Sequence, residues 1–335
     1  MKAGKLSLEF LEELLSGINV KDPRVILGAK PGEDAALIDF DNKYLVTKTD
    51  PITFATDLIG WYVVQVNAND LAVMGATPKW IMVTLLLPEG ISENRVEEIF
   101  HQLIEACEKL NITLIGGHTE ITYQLPRPIA IGSMIGEVTK ERVVYTSGAS
   151  PGDSILLTKG IAIEGTAILA REAGLDLCKT GVPIEIIERA KSLLFKPGIS
   201  VLQEAAIACD TASVSAMHDP TEGGLATGLM ELAKGAKVGL RVEASKIPVL
   251  PECSLFCSAL GLDPMGLIAS GSLLATASPT NAQKLINAWE QAGIKGYEIG
   301  KITEPSKGLK ITTDRGSENL PLFERDELAR FLAED

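Results

Sequence analysis

Long apolar runs are missing from this sequence of 335 residues, which argues against a membrane-spanning protein. A membrane-spanning helix needs roughly 18 or more consecutive apolar residues, and no run reaches that length. The first five residues lead into a short amphipathic helix that is predicted from Ser7 to Ser16, and not into the apolar core of a signal peptide. We therefore expect a cytoplasmic protein that has no membrane span.

Blocks of basic residues are also missing. The formal charge is −13, and acidic and basic side chains are interspersed along the chain. Surfaces that bind nucleic acids concentrate Lys and Arg in patches, so we expect no nucleic-acid partner. If such an acidic protein binds a polyphosphate, metal ions and backbone donors must supply the attraction.

Cysteine clusters and the common nucleotide-binding motifs are absent as well. Of five cysteines, only Cys253 and Cys257 are close neighbours, and neither belongs to a CxxC motif or a Cys/His cluster. This pattern favours buried thiols in a reducing compartment over a zinc site or a disulfide framework. The sequence contains no G-x-x-x-x-G-K-[ST] loop and no set of protein-kinase motifs, which excludes those two classes of nucleotide-binding protein.

An amide and a carboxylate, Asn69 and Asp70, stand side by side within an apolar, helix-forming run that closes on Gly75. Burying a carboxylate without a partner costs several kcal/mol, so Asp70 requires a counter-ion, a metal or hydrogen-bond donors. Asp34 and Asp50 lie near predicted strands and are candidate co-ligands for a shared cation. For either of these acids taken alone, capping of a helix N-terminus is an equal alternative.

Pro51 is expected to end the strand from Tyr44 to Asp50, because its nitrogen cannot donate a hydrogen bond to a neighbouring strand. Asp50 would then lie at a strand end, where active-site groups are often found. Lys48, beside it, is equally compatible with a phosphate contact and with a solvated position on the strand.

A glycine pair, Gly116 and Gly117, follows a predicted strand over residues 112–115. Two glycines at that position would permit close approach of the backbone to a ligand, although tight turns use the same pair. His118 comes next, and an imidazole beside a phosphate can act as donor, charge or acid–base group. We therefore take His118 as the candidate catalytic residue.

The alternation of strands and helices restarts at the turn over residues 150–153, which predicts an N-terminal domain over 1–150 and a C-terminal domain over 151–335. In the second half, a predicted strand over 213–217 runs into Asp219 and a loop that contains Gly223 and Gly224. Carboxylates without cysteine or clustered histidine are the donor set that suits Mg²⁺.

These segments together resemble the ATP-binding superfamily of aminoimidazole ribonucleotide (AIR) synthetase. HypE, selenophosphate synthetase and thiamine-monophosphate kinase belong to the same superfamily, and HypE-like hydrogenase expression/formation proteins look closest. The similarity covers nearly the whole chain and depends on five motifs in order: Gly32-Glu33-Asp34-Ala35-Ala36, Thr49-Asp50-Pro51, Asn69-Asp70-Leu71-Ala72-Val73-Met74-Gly75-Ala76, Gly116-Gly117-His118-Thr119 and Asp219-Pro220-Thr221-Glu222-Gly223-Gly224-Leu225.

The resemblance implies two α/β domains and a homodimer in which the N-terminal sheets join into a barrel, with ATP bound near the subunit interface. It also implies ATP-driven transfer of phosphate to an amide or carbonyl oxygen or to another small acceptor. Four aspartates would hold the Mg²⁺ ions, and further residues would contact the nucleotide or substrate. The implied metal ligands are Asp34, Asp50, Asp70 and Asp219, and the other implied binding residues are Thr49, Asn69, Gly116, Gly117, Thr221, Gly223 and Gly224.

Three departures from the HypE pattern concern the acceptor. No cysteine follows Cys257, so we expect the chain not to perform the HypE reaction on a cysteine of its own tail. Ser270 stands where HypE-like sequences carry a glutamate, which removes an acid that could take part in proton transfer. His118 replaces an acidic residue, as in selenophosphate synthetase, but the reactive N-terminal cysteine and lysine of that enzyme are missing.

Three functions therefore remain open from the sequence. The preferred one is an ATP- and Mg²⁺-dependent enzyme of the AIR synthetase/HypE type with an unidentified acceptor. The second is an ATP-binding assembly or maturation protein that has lost catalysis. The third is a small-molecule kinase similar to thiamine-monophosphate kinase, although nothing in the sequence specifies a thiamine pocket.

Overall fold

Strands and helices form two mixed α/β units in the computed structural model, which describes residues 8–30, 32–53 and 57–333. The N-terminal unit comprises residues 20–28 and 34–143, and the C-terminal unit lies within 1–19, 29–33 and 144–335. The predicted two-domain α/β class is confirmed. The boundary near residue 150 and the intersubunit barrel stay predictions, and the expected start of the first helix at Ser7 lies outside the described residues.

The N-terminal unit is built on a six-stranded sheet in the order β1-β2-β3-β6-β4-β5. Neighbouring strands are antiparallel except for β4 and β5, which are parallel. Strand β5 therefore lies at one edge of the sheet. The strands are β1 (Val25–Leu27), β2 (Ala36–Phe40), β3 (Lys43–Ile52), β4 (Thr77–Pro88), β5 (Thr113–Thr122) and β6 (Ile129–Thr139), and the helices are α2 (Ile59–Val73) and α3 (Glu93–Leu110).

Helix α2 is buried on nearly all sides, because it packs against β3, β4 and β6 on one side and against α3 on the other. Fourteen of its fifteen residues are buried, and Trp61 is the exception. A helix that is apolar around most of its circumference is expected in such a position. The polar residues Asn67, Asn69 and Asp70 are consequently held away from bulk water.

The prediction that Pro51 ends its strand is wrong. Strand β3 continues through Pro51 to Ile52, and the register pairs Asp50 with Gly132 and Pro51 with Ile131 of β6. A missing N–H removes one possible ladder hydrogen bond without removing the extended backbone, so one proline is tolerated here. Asp50 thus lies inside a strand.

The C-terminal unit is built on a seven-stranded sheet in the order β13-β12-β9-β11-β7-β10-β8. Its pairs are antiparallel except for β9 and β12. An apolar core that includes Ile155, Leu229 and Ile299 lies within this unit. The strands are β7 (Ser154–Thr158), β8 (Ala216–His218), β9 (Gly239–Glu243), β10 (Leu274–Ala277), β11 (Gly296–Thr303), β12 (Leu309–Thr313) and β13 (Gly316–Asn319).

The helices of the C-terminal unit include one from the beginning of the chain. Helix α1 is joined to α8 by an ion pair in which Lys234 Nζ lies 3.0 Å from Glu12 Oε2. No helix in the described part of the chain combines the length and apolar character that crossing a membrane requires. The helices are α1 (Leu8–Ser16), α4 (Ile163–Glu172), α5 (Gly174–Lys179), α6 (Ile184–Lys191), α7 (Leu202–Thr211), α8 (Gly224–Ala236), α9 (Pro251–Leu260), α10 (Pro279–Gln291) and α11 (Glu327–Phe331).

The close packing of α2 on α3 depends on Gly60. A Cβ atom at this position would lie 2.2 Å from Ile99 O and 3.0 Å from Leu103 N, both backbone atoms of α3.

We expect Gly60→Ala to lower the free energy of unfolding by about 1–3 kcal/mol, because the two helices must separate to admit a methyl group. Thermal unfolding followed by circular dichroism measures the effect.

Gly17→Ala is the matched control, because its added Cβ would meet only Leu14 O at 3.5 Å, an ordinary contact distance. A melting temperature that falls equally in both variants would contradict this account of the helix packing.

Candidate functional site

The candidate site in the N-terminal unit is centred on Asp70, which is 3% exposed on helix α2. Its Oδ1 atom lies 3.3 Å from Lys48 Nζ, which comes from strand β3. Its Oδ2 atom has no hydrogen-bond partner among the residues that the structure describes. A buried carboxylate oxygen without a partner is costly, so this atom is suited to a cation that is not part of the chain.

Three carboxylates form what we call the acidic trio: Asp34, Asp50 and Asp70. The pKa of Asp70 is raised to about 7, chiefly by burial; the Lys48 ammonium opposes the shift, and the charges of Asp50 and Asp34 add to it. Electrostatic coupling of this kind requires the three carboxyl groups to lie near one another. The trio therefore concentrates negative charge around the buried carboxylate of Asp70. Its predicted binding of a shared cation stays a prediction.

Helix capping, the alternative kept open for Asp34 and Asp50, does not apply to either residue. Asp34 is 7% exposed and directly precedes strand β2, whereas Asp50 lies within β3. Neither residue is followed by the first turn of a helix. The positions of buried Asp34 and half-buried Asp50 beside Asp70 thus need an explanation other than capping.

Asn67, which the sequence did not single out, connects helix α2 to strand β3 at Asp50. Its Oδ1 accepts a hydrogen bond from Asp50 N at 3.0 Å, and its Nδ2 donates to Asp50 O at 3.3 Å and to Val63 O at 2.8 Å. The side-chain amide thereby satisfies both backbone groups of Asp50, as a neighbouring strand would. This pairing fixes the strand that carries Asp50 and Lys48 against the helix that carries Asp70.

Thr49 and Asn69, two predicted binding residues, differ in their surroundings. Thr49 is exposed on the opposite face of β3 from Asp50, since side chains alternate along a strand, and its hydroxyl donates to Gly132 O at 2.7 Å. Asn69 is fully buried in α2. Its predicted role in positioning Asp70 stays a prediction.

The glycine pair does not follow a strand, as the sequence predicted, but lies inside β5. Gly116 and Gly117 have φ angles of 154° and 153°, which few residues other than glycine adopt. A Cβ on Gly117 would lie 1.9 Å from Val83 O, so this glycine permits close approach of strand β4. A Cβ on Gly116 would meet no atom within 4 Å, which leaves its surface open to a ligand or partner.

His118 also lies on β5, where it is exposed and its Nε2 is 3.1 Å from Glu120 Oε2. It contributes to the wall of a surface pocket of about 470 Å³ together with both glycines and the apolar side chains of Phe100 and Ile115. The imidazole is therefore accessible to a ligand, whereas Asp34 and Asp70 of the acidic trio are buried.

The C-terminal unit holds the remaining predicted residues in the loop that joins β8 to α8. Asp219 is 2% exposed and directly follows His218, the last residue of β8. The imidazole Nε2 of His218 lies 3.0 Å from Glu231 Oε2, and both residues are buried. Strand β8 begins at Ala216 and ends at His218, later than the strand over 213–217 that the sequence predicted.

Backbone contacts explain the glycines in this loop. Gly223 and Gly224 have φ angles of 78° and 66°, and a Cβ on Gly224 would lie 2.4 Å from Met265 O. Gly223 N donates to Asp326 Oδ2 at 2.6 Å, which ties the loop to the start of helix α11. Burial raises the pKa of Asp326 to about 6, although this hydrogen bond opposes the shift.

Thr221 connects the same loop to Ser270. Its carbonyl oxygen accepts a hydrogen bond from Ala269 N at 3.2 Å, next to Ser270. Ser270 is 1% exposed, and its hydroxyl has no hydrogen-bond partner within the part of the chain that the structure describes. A buried hydroxyl in this state can bind a polar group of a substrate.

Comparison with known proteins identifies relatives that are similar to this chain over most of its length. A hydrogenase expression/formation protein of Methanocaldococcus jannaschii is 28% identical over 318 residues, covering 92% of this chain and 91% of the relative. Carbamoyl dehydratase HypE of Cupriavidus necator is 26% identical over 353 residues, covering 91% of this chain and 96% of the relative. The relatives include proteins that are named as enzymes, which supports an enzyme of the AIR synthetase superfamily.

Solved structures share the fold. A crystal structure of E. coli HypE gives a TM-score of 0.76 at 20% identity, covering 97% of this chain and 98% of that one. A hydrogenase maturation protein HypE in complex with ATP gives 0.70 at 21% identity, covering 98% of both chains. AaThiL complexed with AMPPCP and TMP gives 0.69 at 20% identity, covering 91% of both.

Family models match both halves of the chain. The N-terminal domain of AIR synthase related proteins matches residues 32–138, and the C-terminal domain of the same family matches residues 150–311. Together these ranges contain the acidic trio, the glycine pair, the β8–α8 loop and Ser270. The chain therefore belongs to the family of AIR synthase related proteins.

Proposed function

We propose that this protein is an enzyme that uses ATP and Mg²⁺ to transfer phosphate to an amide or carbonyl oxygen or to another small acceptor. The observation that supports it most directly is the acidic trio. Asp70 is buried, two further carboxylates act on it, and its Oδ2 atom has no hydrogen-bond partner among the described residues. The ATP complex of a HypE of the same fold and the name of the carbamoyl dehydratase relative agree with the proposal.

The donor set of the trio fits Mg²⁺, which prefers carboxylate oxygens and the oxygens of substrate phosphates. When bound, the metal ion would neutralise phosphate charge and orient the transferred group. Asp34, Asp50 and Asp70 would hold the ion, and Asn67 would keep β3 and α2 in register for this task. Such positioning matters because phosphoryl transfer depends mainly on orientation and electrostatics.

In this proposal Asp219 is a further metal ligand, and Thr221, Gly223 and Gly224 contact the nucleotide or the acceptor. The backbone of this loop is fixed by the hydrogen bond from Gly223 N to Asp326 Oδ2. Ser270 would offer a neutral hydroxyl to the acceptor. His118, exposed on β5, would contribute a donor or an acid–base group.

The partner in this proposal is a second copy of the chain. Eight of the ten residues of the edge strand β5 are exposed, and Ile115 and Ile121 are 51% and 58% exposed. An open edge strand with apolar side chains favours pairing with another sheet. The joined sheets would give the barrel that the sequence resemblance implies.

Asp70→Asn tests the metal site. We expect this variant to bind the Mg²⁺ complex of a non-hydrolysable ATP analogue at least about tenfold more weakly, because a charged ligand is lost. The fold should be retained, since asparagine has nearly the same shape and carries no charge that burial would penalise. Isothermal titration calorimetry measures the affinity.

Asp39→Asn is the control for that measurement. Asp39 lies on β2 of the same unit and forms an ion pair of 2.7 Å with Lys140 outside the trio. Its loss should leave nucleotide affinity unchanged. Equal affinities for wild type and Asp70→Asn would remove the trio from the proposed site.

Turnover separates an enzyme from an ATP-binding assembly protein. We expect release of ADP or phosphate when the protein is incubated with ATP, Mg²⁺ and a panel of carboxamides, amidines, alcohols and selenide, since the proposed reaction couples nucleotide cleavage to an acceptor. Chromatographic detection of the nucleotide products makes the measurement. Tight binding of Mg²⁺·ATP without turnover across the panel would instead support the non-catalytic function.

Ile121→Lys tests the proposed dimer. We expect the variant to shift toward the monomer, because a charge on an edge strand disfavours sheet-to-sheet pairing. Size-exclusion chromatography with light scattering measures the mass. Leu175→Lys, which replaces an 80% exposed residue of α5, is the control and should leave the mass unchanged. A wild-type protein that is monomeric at all concentrations would contradict the dimer.

A further inference from the structure

Strand β3 presents a lysine and an aspartate to the same side, because residues two apart along a strand share a face. These residues are Lys48 and Asp50, and the Asn67 amide holds the backbone at Asp50 against helix α2. The Lys48 ammonium consequently reaches Asp70, with 3.3 Å between Nζ and Oδ1. A positive charge of the chain thus lies against one oxygen atom of the carboxylate that is proposed to bind the metal ion.

The ion pair between Lys48 and Asp70 is unequal in two respects. The side chain of Lys48 is 26% exposed, whereas that of Asp70 is 4% exposed. The charges of Asp34 and Asp50 also act on Asp70 against that of Lys48, and Asp70 Oδ2 makes no hydrogen bond within the described residues. Lys48 therefore compensates the trio only in part, and its partly exposed, flexible side chain can leave without unfolding the strand.

We propose that Lys48 is the resident cation of the metal-free site, and that a divalent ion displaces its ammonium from Asp70 when the site is loaded. This inference rests on the proposed function, since it assigns a role to a residue of the same site. The displacement breaks one ion pair and forms metal–carboxylate bonds, with no covalent step. In this proposal Lys48 modulates the affinity of the site for a cation and does not bind the nucleotide as a fixed ligand.

The charges of the acidic trio explain why a lysine beside Asp70 is useful. Without a positive charge nearby, three clustered carboxylates would repel one another, and a buried carboxylate would bind a proton instead of staying ionised. With Lys48 in place, the trio remains available to a divalent ion, but the ion must compete with the ammonium. The lysine thereby lowers the affinity for a metal ion that arrives without a nucleotide.

Removing the charge tests the proposal through cation binding itself. We expect Lys48→Met to bind Mn²⁺, without nucleotide, about tenfold more tightly than wild type, because a competing charge a few ångströms from the metal is gone. Mn²⁺ is a suitable probe, since it shares the preference of Mg²⁺ for oxygen ligands and its free form is measured by electron paramagnetic resonance. The rise in melting temperature at a fixed Mn²⁺ concentration should increase as well.

Two further variants make the result specific. Lys48→Arg retains the charge and should bind Mn²⁺ with an affinity close to that of wild type. Lys43→Met removes another lysine of β3, whose partner is Glu137 at 2.9 Å and not a member of the trio, so it should also leave the affinity unchanged. Far-ultraviolet circular dichroism verifies that each variant is folded.

Unchanged Mn²⁺ affinity in a folded Lys48→Met variant would overturn the inference, and so would weaker binding. Weaker binding of Mg²⁺·ATP with unchanged Mn²⁺ affinity would overturn it in favour of a direct phosphate contact. The proposed function fails by a different result, in which wild type binds neither Mn²⁺ nor Mg²⁺·ATP and Asp70→Asn behaves identically.

Discussion

Burial of the Asp70 carboxylate is the constraint on which the rest of the candidate site depends. A carboxylate on a helix that is enclosed by a sheet and a second helix loses most of its hydration, and the protein restores only part of that loss through Lys48. Burial that is compensated only in part accounts for the raised pKa of Asp70, and its Oδ2 atom has no hydrogen-bond partner among the described residues. A buried carboxylate with a raised pKa is the kind of group that functional sites contain, which is why the proposed function is centred on it.

Several features could be predicted from the sequence because they depend on local patterns. The apolar, helix-forming run around Asp70 predicted the helix that the structure shows as α2. The ordered motifs also indicated the family that the comparisons show. In each case the information lies in residues that are close together in the sequence.

The errors have physical causes that local patterns do not contain. Pro51 and the glycine pair were interpreted as strand ends, yet pairing with β6 and β4 keeps both segments extended. The short strands β12 and β13 were not predicted, because β13 is exposed throughout and carries little apolar alternation. Asn67 and Asp326 were missed because each acts on backbone atoms that are distant in the sequence.

Gly132 on strand β6 affects the position of the Asn67 side chain on helix α2. A Cβ atom there would lie 2.4 Å from Asn67 Nδ2, so the absence of a side chain on β6 makes room for the amide that holds Asp50. The two positions are therefore sterically linked across 65 residues of sequence. Among related proteins, a residue larger than glycine at the position of Gly132 should therefore occur with a residue smaller than asparagine at the position of Asn67. In a protein with such a pair, the helix and the strand must be held together by other contacts.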